Sequence, residues 1–323
     1  GSESDNWALK SAAFGLRNKG NHIITTKIEH HAILNTCAYL EKNGFEITYL
    51  DVDSEGFVSL EDVENAITEK TILISVMFAN NEIGTIEPVC EIGEIAHKHG
   101  ILFHTDAVQA MCHVPINVTE MNIDLLSASA HKFHGPKGVG FMYMKNSAKL
   151  EPFIHGGAQE RARRAGTSNV PGIVGMGQAV KLALSTLDKD THTIINMRNY
   201  IVDRILGEIP DVTFDGPCID ANAVSAGSPA GSLKRLPSNM HFCFKDVSGD
   251  SLLIMLDMNG ICASSGSACA AGSIDPSHVL LAIGRSKGET KGALRLSIDK
   301  NLTKEDADYA IDALKAAVAR LRG

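Results

Sequence analysis

A chain of 323 residues, 44% hydrophobic and 21% charged, can bury a large core and is long enough for two domains. Its 30 basic and 38 acidic side chains leave a net charge of −8, which argues against a broad nucleic-acid footprint, and neither an apolar run of membrane-spanning length nor a cleavable leader stands out, so the cytoplasm is the predicted compartment. Seven cysteines without a CxxC pair suit reduced thiols there, and Cys37, Cys243 and Cys262, in apolar periodic surroundings, read as core residues.

Small and acidic residues from Gly1 to Asn6 predict a turn and a capped helix start, continued by Trp7, Leu9 and Phe14. From residue 22 to 145 the pattern alternates. Strands are predicted at 22–27, 46–52 and 72–78, with helices at 32–43, 60–68 and 89–98. Further strands run into Asp106 and cover 123–130 and 139–144. Such alternation predicts an α/β fold with a mostly parallel sheet between helices, in which ligands bind beyond the carboxyl ends of the strands. His30, Asn81, Asp106 and Lys132 each follow a predicted strand, so they can converge on one cleft.

An apolar helix at 172–187, a boundary at Asp188-Lys189-Asp190 and a second helix at 194–209 divide the chain into domains 1–189 and 190–323. The Gly-, Ser-, Ala- and Pro-rich segment 215–238 predicts an exposed loop. A strand at 239–244 and a helix at 250–258 follow, then a helix begun by Asp275-Pro276-Ser277 and a strand at 293–298 bearing Arg295. The last helix, 304–320, sets Ala307, Ile311, Leu314, Val318 and Leu321 on one side.

Lys132 arrives at a strand end just after Ser129 and His131 and ahead of a Gly/Pro-rich loop. A lysine whose pKa is lowered by burial or by a neighbouring positive charge can hold an aldehyde as a Schiff base, although a strand ending in a surface lysine is the commoner arrangement. Asp106 offers a carboxylate at a second strand end. Pyridoxal 5′-phosphate (PLP) needs both: an amine for its aldehyde and a carboxylate for its pyridinium nitrogen. In Ser264-Ser265-Gly266-Ser267-Ala268-Cys269, small neighbours leave the thiol accessible, as a nucleophile requires, yet small-residue loops are common without function. Arg295 has the planar fork that suits a carboxylate, or is a strand-edge surface arginine. The cluster Arg161, Arg163, Arg164 reads as solvated charge or as an anion site.

Together, Glu29-His30-His31, Asn80-Asn81-Glu82-Ile83-Gly84, His104 to Gln109, Ser129-x-His131-Lys132 and Ser264 to Cys269 resemble the PLP-dependent cysteine desulfurases of the NifS/IscS type, of the class V aminotransferase family. The resemblance runs in order over nearly the whole chain. It implies a PLP-dependent transferase (aspartate aminotransferase-like) fold, with a seven-stranded type of sheet in a large PLP-binding domain, 1–189, and a smaller α+β domain, 190–323, carrying a mobile cysteine loop. Several dozen further residues precede this point in the family, so the large domain is expected to be incomplete at its N-terminus.

The roles implied by the resemblance are specific. Lys132 holds PLP, Asp106 faces the pyridine nitrogen, and His30 stacks on the ring and can move protons. Asn81 and Gln109 bond the ring hydroxyl or the substrate, and Ser129, His131 and Ser2 bind the phosphate. Thr167 reaches the phosphate of a neighbouring subunit's cofactor, which implies a homodimer. Arg295 grips the substrate carboxylate, and Cys269 receives the sulfur. The implied reaction takes sulfur from L-cysteine, leaving L-alanine and a protein persulfide for iron–sulfur cluster assembly or tRNA thiolation. Partners are then sulfur acceptors such as an iron–sulfur scaffold or a tRNA thiolase, with no direct nucleic acid and no membrane. A selenocysteine lyase or another class V aminotransferase would share Lys132 and Asp106, and an inactive sulfur-transfer scaffold would lack PLP. No ligand spacing supports a metal site.

Overall fold

Six strands form the sheet of the first part of the chain: β1 (His22–Thr26), β2 (Glu46–Leu50), β3 (Thr71–Ser75), β4 (Leu102–Asp106), β5 (Leu125–Ser129) and β6 (Gly140–Met144), in the order β2-β1-β3-β4-β5-β6. All neighbours are parallel except β5 and β6. The computed structural model describes residues 1–148, 150–218, 233–265 and 276–323. These fall into two units, one of Gly1–Val52, Phe57–Asn80 and Glu87–Thr186, the other of Asp53–Gly56, Asn81–Ile86 and Leu187–Gly323.

In the first unit β1, β3 and β5 are buried at every position, as interior strands covered on both faces must be. Leu9 and Ala12 of α1 (Ser2–Gly15) and Ile33, Cys37 and Leu40 of α2 (His31–Glu41) close on Ile23, Leu73 and Leu125. Each buried Leu or Ile contributes about 1.5–3 kcal/mol. The helices α3 (Leu60–Asn65) and α4 (Val89–Lys98) supply the next crossovers. Because the strands are parallel, β1, β3, β4 and β5 end at the same edge, and the loops there carry His30, Asp106 and Lys132.

Past β5 the chain makes a 3₁₀ turn, Ala130–Phe133. Phe133, 1% exposed, anchors it with Ala130 against Met176, Ala179, Val180 and Ala183 of α6 (Val170–Glu208), which follows the short α5 (Gln159–Ala162). A methyl group on Gly135 would lie 2.8 Å from Ala130 Cβ, so the return of the chain over the turn requires glycine.

The second unit has a three-stranded antiparallel sheet, β7 (Val212–Phe214), β8 (Asn239–Phe244) and β9 (Ala293–Ser297). Phe242 and Leu294 pack with Ile201 and Ile205 of α6, Leu252 and Leu256 of α7 (Gly249–Asp257), and Ile311, Leu314 and Val318 of α9 (Lys304–Arg322). Ser277 caps α8 (His278–Ala282), and Thr303 with Asp306 forms a capping box on α9.

Several expectations change. The sheet has six strands among the described residues, not seven, and it uses every strand expected between 22 and 144. Instead of two helices broken at Asp188–Asp190 there is one 39-residue helix, α6: no Gly or Pro lies between Gly177 and Gly207, and charged residues on an exposed face do not end a helix. By length and composition α6 could also span a membrane, although no such run stood out in the sequence. The strand β7 was not expected. The segment 215–238 is not exposed at its described ends, since Asp215, Arg235 and Leu236 are buried, and 219–232 lies outside the described residues. Cys262 is exposed whereas Cys37 and Cys243 are buried. Finally, Gly1 makes no side-chain cap on α1.

Candidate active site

Asp106, the last residue of β4, is 6% exposed, and its Oδ1 accepts the Val108 N–H at 2.9 Å. Burial pushes its carboxyl pKa up; the Val108 N–H, His30 and Lys132 pull against that. His30 is the N-cap of α2, with Nδ1 accepting the Ala32 N–H at 3.1 Å. Burial lowers its pKa, opposed by Asp106 and assisted by His31 and Lys132, so the ring is neutral at pH 7. His30 thus both caps α2 and stands beside the aspartate.

Lys132 is an exposed side chain in the 3₁₀ turn, and its carbonyl accepts from His113 Nε2 at 2.8 Å. Its charge reaches both His30 and Asp106. Ser129 ends β5, and its Oγ is 2.8 Å from His131 Nδ1. The first turn of α1 arrives beside them: the amino group of Gly1 donates to the Ala128 carbonyl at 3.3 Å, and a methyl on Gly1 would lie 3.8 Å from Ser129 Cβ. Ser2, exposed, is the first residue of that helix. A helix N-terminus with a hydroxyl and an imidazole is a phosphate-binding set. Gln109, half-buried, lies in the turn after β4.

The first unit thus brings together His30, Asp106, Ser129, His131, Lys132 and the start of α1. Thr167 is exposed between α5 and α6. Of the arginine cluster in that region, Arg164 pairs with Glu3, Nε to Oε1 at 2.9 Å. Asn81 and Arg295 belong to the second unit, where Arg295 Nη1 donates to the Asn81 carbonyl at 2.7 Å and Nη2 to Ser264 Oγ at 3.0 Å. Cys269 lies outside the described residues.

Two acids that carried no expected role of their own are buried. Glu29 Oε1 accepts the Thr26 hydroxyl at 2.9 Å and the Met77 N–H at 2.8 Å, tying the end of β1 to the segment after β3, and burial raises its pKa well above the usual value. Asp5 is 1% exposed. Its signal was helical spacing, because Asp5 shares a face with the buried Leu9 and Ala12. Close ligand-type atoms also occur in Asp215, His241 and Cys243, but Asp215 is already held by His241 Nδ1 at 2.8 Å and Arg285 Nε at 2.7 Å, and that guanidinium disfavours a cation.

A model of the aminotransferase class-V family matches residues 1–310. The chain belongs to that family. It is 54% identical over 322 residues to the cysteine desulfurase IscS of Clostridium botulinum, covering 100% of this chain and 78% of that protein. Among solved structures, a NifS-like protein superposes with a TM-score of 0.88 at 36% identity, over 99% of this chain and 80% of the other. The structure titled "SspA in complex with cysteine" gives 0.74 at 37% identity, over 94% and 80%. Members at this identity place the chain among the IscS-type cysteine desulfurases, which are PLP enzymes. The donor set fits that cofactor: an amine at a strand end, a buried carboxylate within its electrostatic reach, and a hydroxyl–imidazole pair at a helix N-terminus.

Proposed function

We propose that this chain desulfurises L-cysteine with the residues just described. The observation that carries the reading is the grouping of His30, Asp106, Ser129 and Lys132 at the carboxyl edge of one parallel sheet, in a chain of this family. Lys132 would hold PLP covalently, Asp106 its ring nitrogen, Ser129, His131 and Ser2 its phosphate, and Asn81 and Gln109 its hydroxyl or the substrate. Bound there, PLP supplies an electron sink for the pair left when the substrate loses its α proton. His30 would cover the ring. Lys132 Nζ would take the α proton and later return one to the α-carbon. Arg295 binds the substrate carboxylate, and its contacts to Ser264 and Asn81 fix the plane of its fork. The Cys269 thiolate attacks the substrate sulfur: an S–S bond forms, the C–S bond breaks, and the carbon takes up a proton to give alanine. In this reading residues 1–189 are the cofactor domain and 190–323 the domain of the cysteine loop.

The protein works as a cytoplasmic homodimer in the same proposal, and passes its persulfide to an acceptor protein such as an iron–sulfur scaffold or a tRNA thiolase. Exposed Val170, Ile173, Val174, Leu182 and Leu184 along α6 support a second copy as the cover for that face, and the exposure of Thr167 leaves it available to a neighbour's cofactor. The test is the visible absorption of the purified protein with PLP, before and after L-cysteine. Wild type shows a bound-cofactor band that shifts with cysteine, Lys132→Ala shows none, and Cys269→Ser keeps the band but makes no persulfide. A wild type that binds no PLP would overturn the reading.

A further inference from the structure

Asp5 is buried in the first turn of α1, and neither of its carboxyl oxygens has a hydrogen-bond partner. One of them lies within 4.8 Å of a carboxyl oxygen of Asp106 and of a ring nitrogen of His30, and Oδ1 is 3.9 Å from His104 Nε2. The groups facing it offer little compensation for a charge. From β4 come Asp106 and His104, and burial pushes His104 down to about 3, so its ring is neutral between Ser75 Oγ at 2.9 Å and Ser127 Oγ at 3.0 Å. From β5 comes the Ser127 hydroxyl, from the loop after β1 the neutral His30, and from its own helix the amino group of Gly1.

Two buried carboxylates this close oppose each other's ionisation, which favours a state in which one holds a proton. The pair is not symmetric. Asp106 has the Val108 N–H on Oδ1 and the attraction of His30 and Lys132, whereas Asp5 accepts no backbone N–H and faces the Ser127 hydroxyl, which His104 Nε2 also engages at 3.0 Å. We infer that Asp5 is a proton-holding partner of Asp106: the pair shares one proton, Asp5 carries it, and the negative charge stays on Asp106. Burial and the neighbouring Asp106 both raise the Asp5 pKa well above its usual value, in keeping with that assignment.

The functional consequence rests on the reading of Asp106 as the partner of the pyridine nitrogen. A charge on Asp106 is what the ring nitrogen needs, and Asp5 is then a positioning residue, polar enough to solvate that charge and neutral enough not to compete for it. An apolar residue in its place would fill the space but leave the Asp106 charge poorly solvated, so that Asp106 would take up the proton itself.

Infrared spectroscopy of the PLP-loaded protein at neutral pH, with and without carboxyl-13C aspartate, reads the proton directly. A protonated-carboxyl carbonyl band that moves with the label and is lost in Asp5→Asn is expected; a wild type without any label-sensitive band overturns the inference, even if the variant does not fold. PLP affinity is the second readout. Asp5→Asn is expected within about threefold of wild type, and Asp5→Val at least tenfold weaker. Equal loss in both variants, or no loss in Asp5→Val, overturns the positioning role. If Asp106→Asn leaves PLP affinity and absorption unchanged, the reading of Asp106 fails, while the infrared band still decides where the proton sits.

Discussion

Arg295 and Ser264 are joined three times: the Arg295 N–H donates to the Ser264 carbonyl at 2.6 Å, the Ser264 N–H to the Arg295 carbonyl at 3.2 Å, and Arg295 Nη2 to Ser264 Oγ at 3.0 Å. Two of these bonds are main-chain and survive any substitution of the arginine. The third, with the bond to the Asn81 carbonyl, needs a planar fork that lysine lacks. Arg295→Lys is therefore expected to keep its fold and PLP content while KM for L-cysteine rises about a hundredfold, the loss of roughly two charge-assisted hydrogen bonds. Steady-state kinetics with PLP quantified in the same samples checks this.

Gly135→Ala places a methyl group 2.8 Å from Ala130 Cβ and 3.0 Å from the Ala130 carbonyl oxygen. Relief requires the turn that carries Lys132 to shift, at about 1–3 kcal/mol. A lower melting temperature is expected together with weaker PLP binding, measured by differential scanning fluorimetry and absorption titration.

Glu29 titrates on the alkaline side of its ordinary range. Its pKa is raised by burial from 4.5, so the folded state keeps a proton that the unfolded chain releases. Its contribution is complete below pH 4.5 and is lost as pH rises toward the folded value. Glu29→Gln cannot ionise, so its stability relative to wild type should rise with pH, by up to about 1.4 kcal/mol per pH unit. Urea unfolding of both proteins at several pH values between 4.5 and 8 gives the difference.

Asp215 has the opposite sign. Burial pushes its pKa up, but His241 and Arg285 outweigh that and hold it below 3.8. It therefore stabilises the fold above the unfolded pKa and loses that contribution as pH falls through the folded one. Arg285→Ala leaves the buried carboxylate half-paired and is expected to cost about 3 kcal/mol at pH 7, a gap that narrows below pH 4. Chemical denaturation at both pH values tests it.

Much of this was legible in the sequence because local signals and tertiary packing agreed. The boundaries of α4 and β8 fall where the pattern put them, since an amphipathic run between Pro88 and Gly100 and a β-rich run ending at Phe244 leave little choice. Single residues were harder. The side chain of Cys262 faces outward although its neighbours in sequence are apolar, because the direction of a side chain in an irregular segment has no period to read. A first-turn acid such as Asp5 resembles a helix-dipole or capping group, and only the approach of α1 to β4 and β5 reveals its burial. The triad Asp215, His241, Cys243 has no sequence spacing to announce it, since residue 215 reaches the other two through strand pairing.

The bond from the Ala32 N–H to His30 Nδ1 also selects a tautomer. Nδ1 is an acceptor, so the neutral ring carries its hydrogen on Nε2 and offers its surroundings a donor. To bind a second proton the ring must take it at Nδ1, which ejects the Ala32 N–H and strips α2 of its cap, at a cost of about 1 kcal/mol. Acidification would thus fray the helix that begins at His31 before it gained a useful acid. In the proposed site a ring wired in this way would serve as a lid with one fixed donor, leaving proton traffic to the amine of Lys132.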